Sequence, residues 1–211
     1  GADKSGSGAP DDPIELALAR IRQLSAHEVG HTLGITHNCA ASTYGRESVM
    51  DYPAPLVTID EAGELDLGAA YDVGIGDWDI HAIRFAYTDF GDEDEAAALD
   101  RLLAEGRERG LAFITDADAR PAGAANWVGS LWDNGADAVS QLETDMAVRR
   151  LALDRFGADR VAVGQPLALL EEVLATVYFR HRYQLEAVVK MVGGVDYRYA
   201  VRGDGQPMPR P

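Results

Sequence analysis

His27-Glu28-Val29-Gly30-His31-Thr32-Leu33-Gly34-Ile35-Thr36-His37 is the stretch on which the reading of this chain turns. On a helix, residues four apart share a face, so His27 and His31 can grip one Zn²⁺ between their imidazoles. Glu28 lies beside them, where its carboxylate can take a proton from zinc-activated water. Gly34 can leave the helix with positive φ, and the turn would bring His37 back as a third nitrogen ligand. Three nitrogen ligands and a neighbouring carboxylate are what a hydrolytic metal centre needs, because the fourth coordination position stays open to water.

The rest of the composition narrows the partners. The 211 residues carry a formal net charge of −16, with 46% apolar and 26% charged side chains. A soluble globular chain with that excess of carboxylates is unsuited to nucleic acid, whose phosphates call for basic patches. Cys39 is the sole cysteine, so no internal disulfide framework exists, and a small packed residue is its expected role. No transmembrane run or signal peptide is visible. The opening Gly-Ala-Asp-Lys-Ser-Gly-Ser-Gly has no initiator Met and reads as a processed or excised end.

Outward from the motif, residues 1–12 read as a small, polar tail. Asp12 can cap a helix with Pro13 in its first turn, and Ile14, Leu18, Ile21 and Leu24 recur at helical spacing. One helix from Pro13 to Leu33 should therefore carry His27 and His31 in its last turns. Asn38 to Glu47 reads as a polar loop, and Val57 to Gly74 as an acidic, irregular connection. A helix should follow from Asp77, with Ile80, Ile83 and Tyr87 on one face and His81 exposed. Beyond Phe90 the expected elements are a helix from Glu93 to Arg109, a short strand at Leu111–Thr115, and solvated turns at Asp116–Asp118 and Trp132–Asp137. A helix from Asp137 to Phe156 and a long helix from Pro166 to Val192 come next. Val195–Val201 is expected as a short strand or extended tail, and the Pro-rich end as coil. Trp127 and Trp132 are expected to pack rather than to line a ligand site.

Ser48-Val49-Met50-Asp51-Tyr52-Pro53, thirteen residues past His37 at its methionine, completes the pattern. Together with the histidine motif it resembles the active site of the metzincin clan of zinc metallopeptidases, in which a Met-turn forms an apolar floor beneath three histidines. The Ser-x-Met-x-Tyr form is closest to astacins and serralysins. By that resemblance Met50 is the Met-turn methionine, and Tyr52 is a candidate fifth ligand and transition-state donor. The aspartate of Asp79-x-x-Ala82-Ile83-x-x-x-Tyr87 would hold the Met-turn region.

The resemblance covers Pro13 to about Phe90 and implies a fold that is mainly α. A zincin-like zinc helix and Met-turn half-domain (13–90) would be followed by a helical C-terminal extension (91–211), with little β. The chain is similar to the C-terminal catalytic part of large bacterial metzincin-like peptidases, secreted or periplasmic. An upstream β-rich part of the same protein would form the other half of the cleft. The implied activity is zinc-dependent hydrolysis of peptide bonds, with Glu28 as general base and acid and a peptide or protein as substrate. Two other readings compete with it: a zinc-binding helical module inactive on its own, and a zinc hydrolase of non-peptide amides.

Overall fold

The computed structural model describes residues 5–206. Residues 1–4 of the expected tail and the Pro-rich end after residue 206 lie outside the described residues. The architecture is mainly α. Helix α1 (Pro13–Thr32) starts as expected: the Asp12 carboxylate accepts from the Ile14 amide, and Pro13 opens the first turn. It ends in a Schellman arrangement. The amide of Gly34, at φ +81°, donates to His31 and that of Ile35 donates to Gly30.

After α1 the chain turns beneath it and runs to a two-stranded antiparallel hairpin, β1 (Thr58–Ile59) and β2 (Leu65–Asp66). Helices α2 (Asp77–Tyr87) and α3 (Glu95–Glu108) then pack together, and a single turn, α4 (Asp116–Ala119), follows. Helix α5 (Ala138–Asp154) is the centre of the last part: α6 (Leu169–Tyr178), α7 (Arg182–Gly193) and the hairpin all contact it. The Arg155 guanidinium ties α5 to the hairpin through Glu64. Among the described residues no helix is long and apolar enough to cross a membrane.

Two small buried clusters form the core. Val49, Met50 and Trp78 gather Ile35, Ala82, Leu111 and Phe113 around them; Cys39, Ala40, Ile114 and Ala119 form the other. The first lies under the histidine motif, where Met50 meets Gly30, and the second begins two residues beyond His37. Residues 111–134 run alongside residues 37–54 and are bonded to them repeatedly. Ile114 accepts from the Cys39 amide, Cys39 accepts from the Ser130 amide, and Tyr52 accepts from the Trp132 amide.

Several expectations are corrected. The apolar stripe of α1 is there at helical spacing but faces outward: Ile14, Leu18, Ile21 and Leu24 are 38–58% exposed, while Gln23, His27 and Gly30 face inward. The Asn38–Glu47 stretch is no solvated loop. Asn38, Cys39, Ala40, Ala41 and Ser42 are buried, because the Asn38 side chain supplies local partners for the backbone: it accepts from the Ala40 and Ile114 amides and donates to the Ala112 carbonyl. Leu111–Thr115 is extended without joining a sheet, since its groups bond Asn38 and Cys39 instead. Val195–Val201 follows the extended-tail alternative rather than the strand, with one β-bridge among the described residues, between Val195 and Asn126.

The long helix from Pro166 breaks at Phe179–His181 into α6 and α7. Unbroken over 27 residues it would extend about 40 Å, well past the roughly 26 Å of α5, and the reversal between α6 and α7 lets both halves pack on that helix. Arg180 at the break is anchored to Asp145 of α5 and to the Pro55 carbonyl. His81 is buried rather than exposed, its ring filling the space left by Gly106 of α3. Burial lowers its pKa.

Candidate metal centre and active site

The helical spacing of His27 and His31 and the Gly34 turn bring three imidazoles together, with the His31 ring edge-on to the other two. His27 and His31 rings are 4.6 Å apart at their centroids, and His31 and His37 rings 4.7 Å. Each Nδ1 has an acceptor that cannot itself donate. His27 donates to the Val49 carbonyl at 2.6 Å, His31 to the Ile35 carbonyl at 2.9 Å, and His37 to the Asp116 carboxylate at 2.5 Å. Those partners fix the tautomer, so the proton of each neutral ring sits on Nδ1 and each Nε2 carries a lone pair. The Nε2 of His31 lies 3.1 Å from that of His27 and 3.0 Å from that of His37. With no proton left to share, these approaches are not hydrogen bonds. Three converging lone pairs repel one another, and a cation among them turns the repulsion into attraction. The donor set therefore fits a zinc-type ion, and it is the one cluster of its kind among the described residues.

Burial lowers the His27 pKa, which favours the neutral, metal-binding form, although its bond to Val49 acts in the opposite direction. Cys39 is no part of the cluster. It is fully buried, and burial pushes its thiol up to about 12, so it stays protonated.

Met50 is almost wholly buried beneath the motif. The identity of Gly30 follows from this floor: a Cβ there would lie 2.3 Å from the Met50 sulfur. Asp79 secures the turn. Its carboxylate accepts from the Ser48 hydroxyl at 2.6 Å, the Val49 amide at 2.8 Å and the Gly76 amide at 2.8 Å. Since Val49 presents the carbonyl that orients His27, α2 is coupled through Asp79 to the histidine cluster.

The Tyr52 ring sits 5.2 Å from His27 and 4.4 Å from His37 between centroids, so the phenol shares the mouth of the site. Burial raises its pKa, keeping it a hydroxyl donor. Glu28 is exposed beside the histidine cluster, close enough for its charge to act on both His27 and Tyr52.

Two features of the site escaped the sequence. Asp116, expected in a solvated turn, orients His37 across 79 residues. Beneath Tyr52, Asp51 and Asp133 form a buried acidic pair. Asp51 accepts from the Ser42 and Tyr52 amides, and Asp133 accepts from the Ser42 hydroxyl. Burial pushes Asp51 well above the usual carboxylate range and raises Asp133 too. Neither feature has a local signature; an acidic residue near turn-forming neighbours looks the same in either role.

A family model described as Met-zincin matches residues 9–211. The chain belongs to the Met-zincin family. No curated protein and no solved structure matches it. Met-zincin membership indicates a zinc metallopeptidase-like protein, and the His27, His31 and His37 cluster can hold the metal the family implies. In this Met-zincin the three histidines that could hold the metal are oriented by distant stretches of the chain, His27 by Val49, His31 by Ile35 and His37 by Asp116.

Proposed function

We propose that this Met-zincin is a zinc-dependent endopeptidase. The observation that carries the reading is the convergence of three Nε2 lone pairs beside a carboxylate, Glu28, for which no hydrogen-bond partner is found among the described residues. A structural zinc site would normally close with a fourth protein ligand and would need no such base.

Zinc, when bound, supplies a Lewis acid that acidifies water and polarises the scissile carbonyl. Glu28 receives the proton of the attacking water and passes it to the departing amine, acting in turn as general base and general acid. Tyr52 donates its phenolic hydrogen to the oxyanion that develops on the carbonyl. Asp116 and the Val49 and Ile35 carbonyls keep the three rings in the required tautomer and orientation. Met50 excludes water from below.

The test is cleavage of quenched fluorescent peptides by the zinc-loaded chain and by Glu28→Gln. The substitution should lower kcat by about 10²-fold or more while zinc affinity is retained. Undiminished cleavage in Glu28→Gln would remove Glu28 from the mechanism. Stoichiometric zinc with no cleavage of any peptide by the unsubstituted chain would favour a zinc-binding module instead.

A further inference from the structure

Next to the histidine cluster lies a pocket of about 220 Å³ in which Arg120, Ser130, Trp132, Tyr183, Glu186 and Lys190 are lining residues. It adjoins the histidine cluster through two of its lining residues, Arg120 and Trp132. Asp116 holds His37 with one carboxylate oxygen and the Arg120 guanidinium with the other, at 3.2 Å. The Arg120 guanidinium also lies 5.8 Å from the centre of the Tyr52 ring, and the Trp132 ring 6.3 Å. Trp132 and Tyr183, with centroids 4.5 Å apart, form an aromatic wall.

The polar groups of this pocket are under-used. Lys190 is buried, yet its ammonium makes one hydrogen bond, to the Gly129 carbonyl at 2.7 Å. A buried ammonium has three protons to place and normally has an anion beside it. Glu186, one turn away on α7, forms no ion pair with it. Asp133 feels its charge without bonding to it: one carboxylate oxygen accepts from the Ser42 hydroxyl and the other is buried without a partner. The Ser130 hydroxyl is buried with no partner at all. Arg120, bound only to Asp116, keeps guanidinium protons free on a half-exposed side chain. Arg120 and Lys190 face Glu186 on the rim, Asp116 on the far side of Arg120 and Asp133 near Lys190. The pocket is therefore distinguished by unpartnered donors, the buried Ser130 hydroxyl and the spare protons of Lys190 and Arg120, rather than by net charge.

We propose that this pocket is a substrate subsite for a carboxylate beside the scissile bond, supplied by an acidic side chain or by the free end of the substrate chain. The inference rests on the endopeptidase reading for the word substrate, and its test separates the two. Peptide pairs carrying Glu or Gln at each position flanking the bond are compared by kcat/KM. A third series ends just past the bond with a free or an amidated terminus. One position should favour the carboxylate by about tenfold or more, the effect of one charge-assisted hydrogen bond. Within Arg120→Gln and Lys190→Met the ratio of charged to neutral peptide should fall towards one. Using that ratio cancels any general loss of activity. A preference confined to the free terminus assigns the pocket to the chain end, and one for internal Glu assigns it to a side chain.

A wild-type ratio near one at every position, or a preference retained in both variants, overturns the proposal. If no peptide is cleaved, the endopeptidase reading fails and binding decides on the pocket. Tryptophan fluorescence should then show N-acetylglutamate α-amide binding at least about tenfold tighter than N-acetylglutamine α-amide, with the difference lost in the variants. Equal binding overturns it. Arg120, half-exposed, keeps the test valid if Lys190→Met does not fold.

Discussion

Replacing Asp116 should weaken zinc binding although the residue never reaches the metal. Its carboxylate is 2.5 Å from Nδ1 of His37, and that ring is only 12% exposed, so little water can replace the lost acceptor. The carboxylate does two things: it holds the ring at the angle that aims Nε2 at His27 and His31, and its charge raises the basicity of the ligand. Asp116→Ala removes both. Asp116→Asn can still accept from Nδ1, but without the charge and with its amide turned towards Arg120. Losing such a partner costs about 10- to 100-fold in metal affinity, or roughly 1.4–2.7 kcal/mol. Asp116→Asn should fall near the lower end and Asp116→Ala near the upper. Competition with a chromophoric chelator measures both, with circular dichroism to verify the fold. Losing the exposed Arg120–Asp116 pair costs little, whereas the His37 N–H left without an acceptor should lower the stability of metal-free Asp116→Ala by about 1–3 kcal/mol and that of Asp116→Asn by less. Zinc affinities within twofold of the unsubstituted chain in both variants would refute the assigned role.

Asp79→Ala strips three donors at the Met-turn of their acceptor. At 1–3 kcal/mol for each, it should cost at least about 3 kcal/mol and lower Tm by roughly 6–12 °C in a calorimetric scan. An unchanged Tm would mean that the turn holds itself. Tyr52→Phe keeps the ring beside His27 and His37 and removes one donor. It should lower kcat about 10²-fold with zinc affinity intact, and an equal loss of zinc affinity would make Tyr52 chiefly a ligand. Asp133 has a folded pKa raised above its unfolded value of about 3.9, so its stabilising contribution is complete below that pH and is lost as pH rises through the folded value. Asp133→Asn should therefore raise Tm at neutral pH and bring no gain near pH 4; a Tm difference independent of pH would contradict the assignment.

What was legible in the sequence was local. His27 and His31 share a face because of helical periodicity, and Gly34 must turn where it does. Ser48-Val49-Met50-Asp51-Tyr52 is one turn whose members meet whatever the rest of the chain does. Asp79 is three helical residues from the glycine that caps α2, and its role came with the family resemblance. Long-range partners were not legible. Nothing near Asp116 in the chain announces His37, and nothing near Asp133 announces Ser42. Periodicity also misled in one direction: the apolar stripe of α1 is real but faces outward, because the inward face is assigned to His27, Gly30 and Gln23 by the Met-turn below. Polarity misled likewise from Asn38 to Ser42, where side-chain-to-backbone bonds allow polar groups to be buried. The break between α6 and α7 depends on the length of α5, which no window within residues 166–192 can report.

The central claim, that three imidazoles of this chain hold a catalytic zinc, is tested most directly by zinc-edge X-ray absorption on the full chain with one equivalent of metal. The account predicts three imidazole nitrogens at about 2.0–2.1 Å with the remaining scatterers oxygen, and loss of stoichiometric binding in His37→Ala. A sulfur scatterer at about 2.3 Å, which would bring in Cys39, or full binding retained without His37, would contradict it.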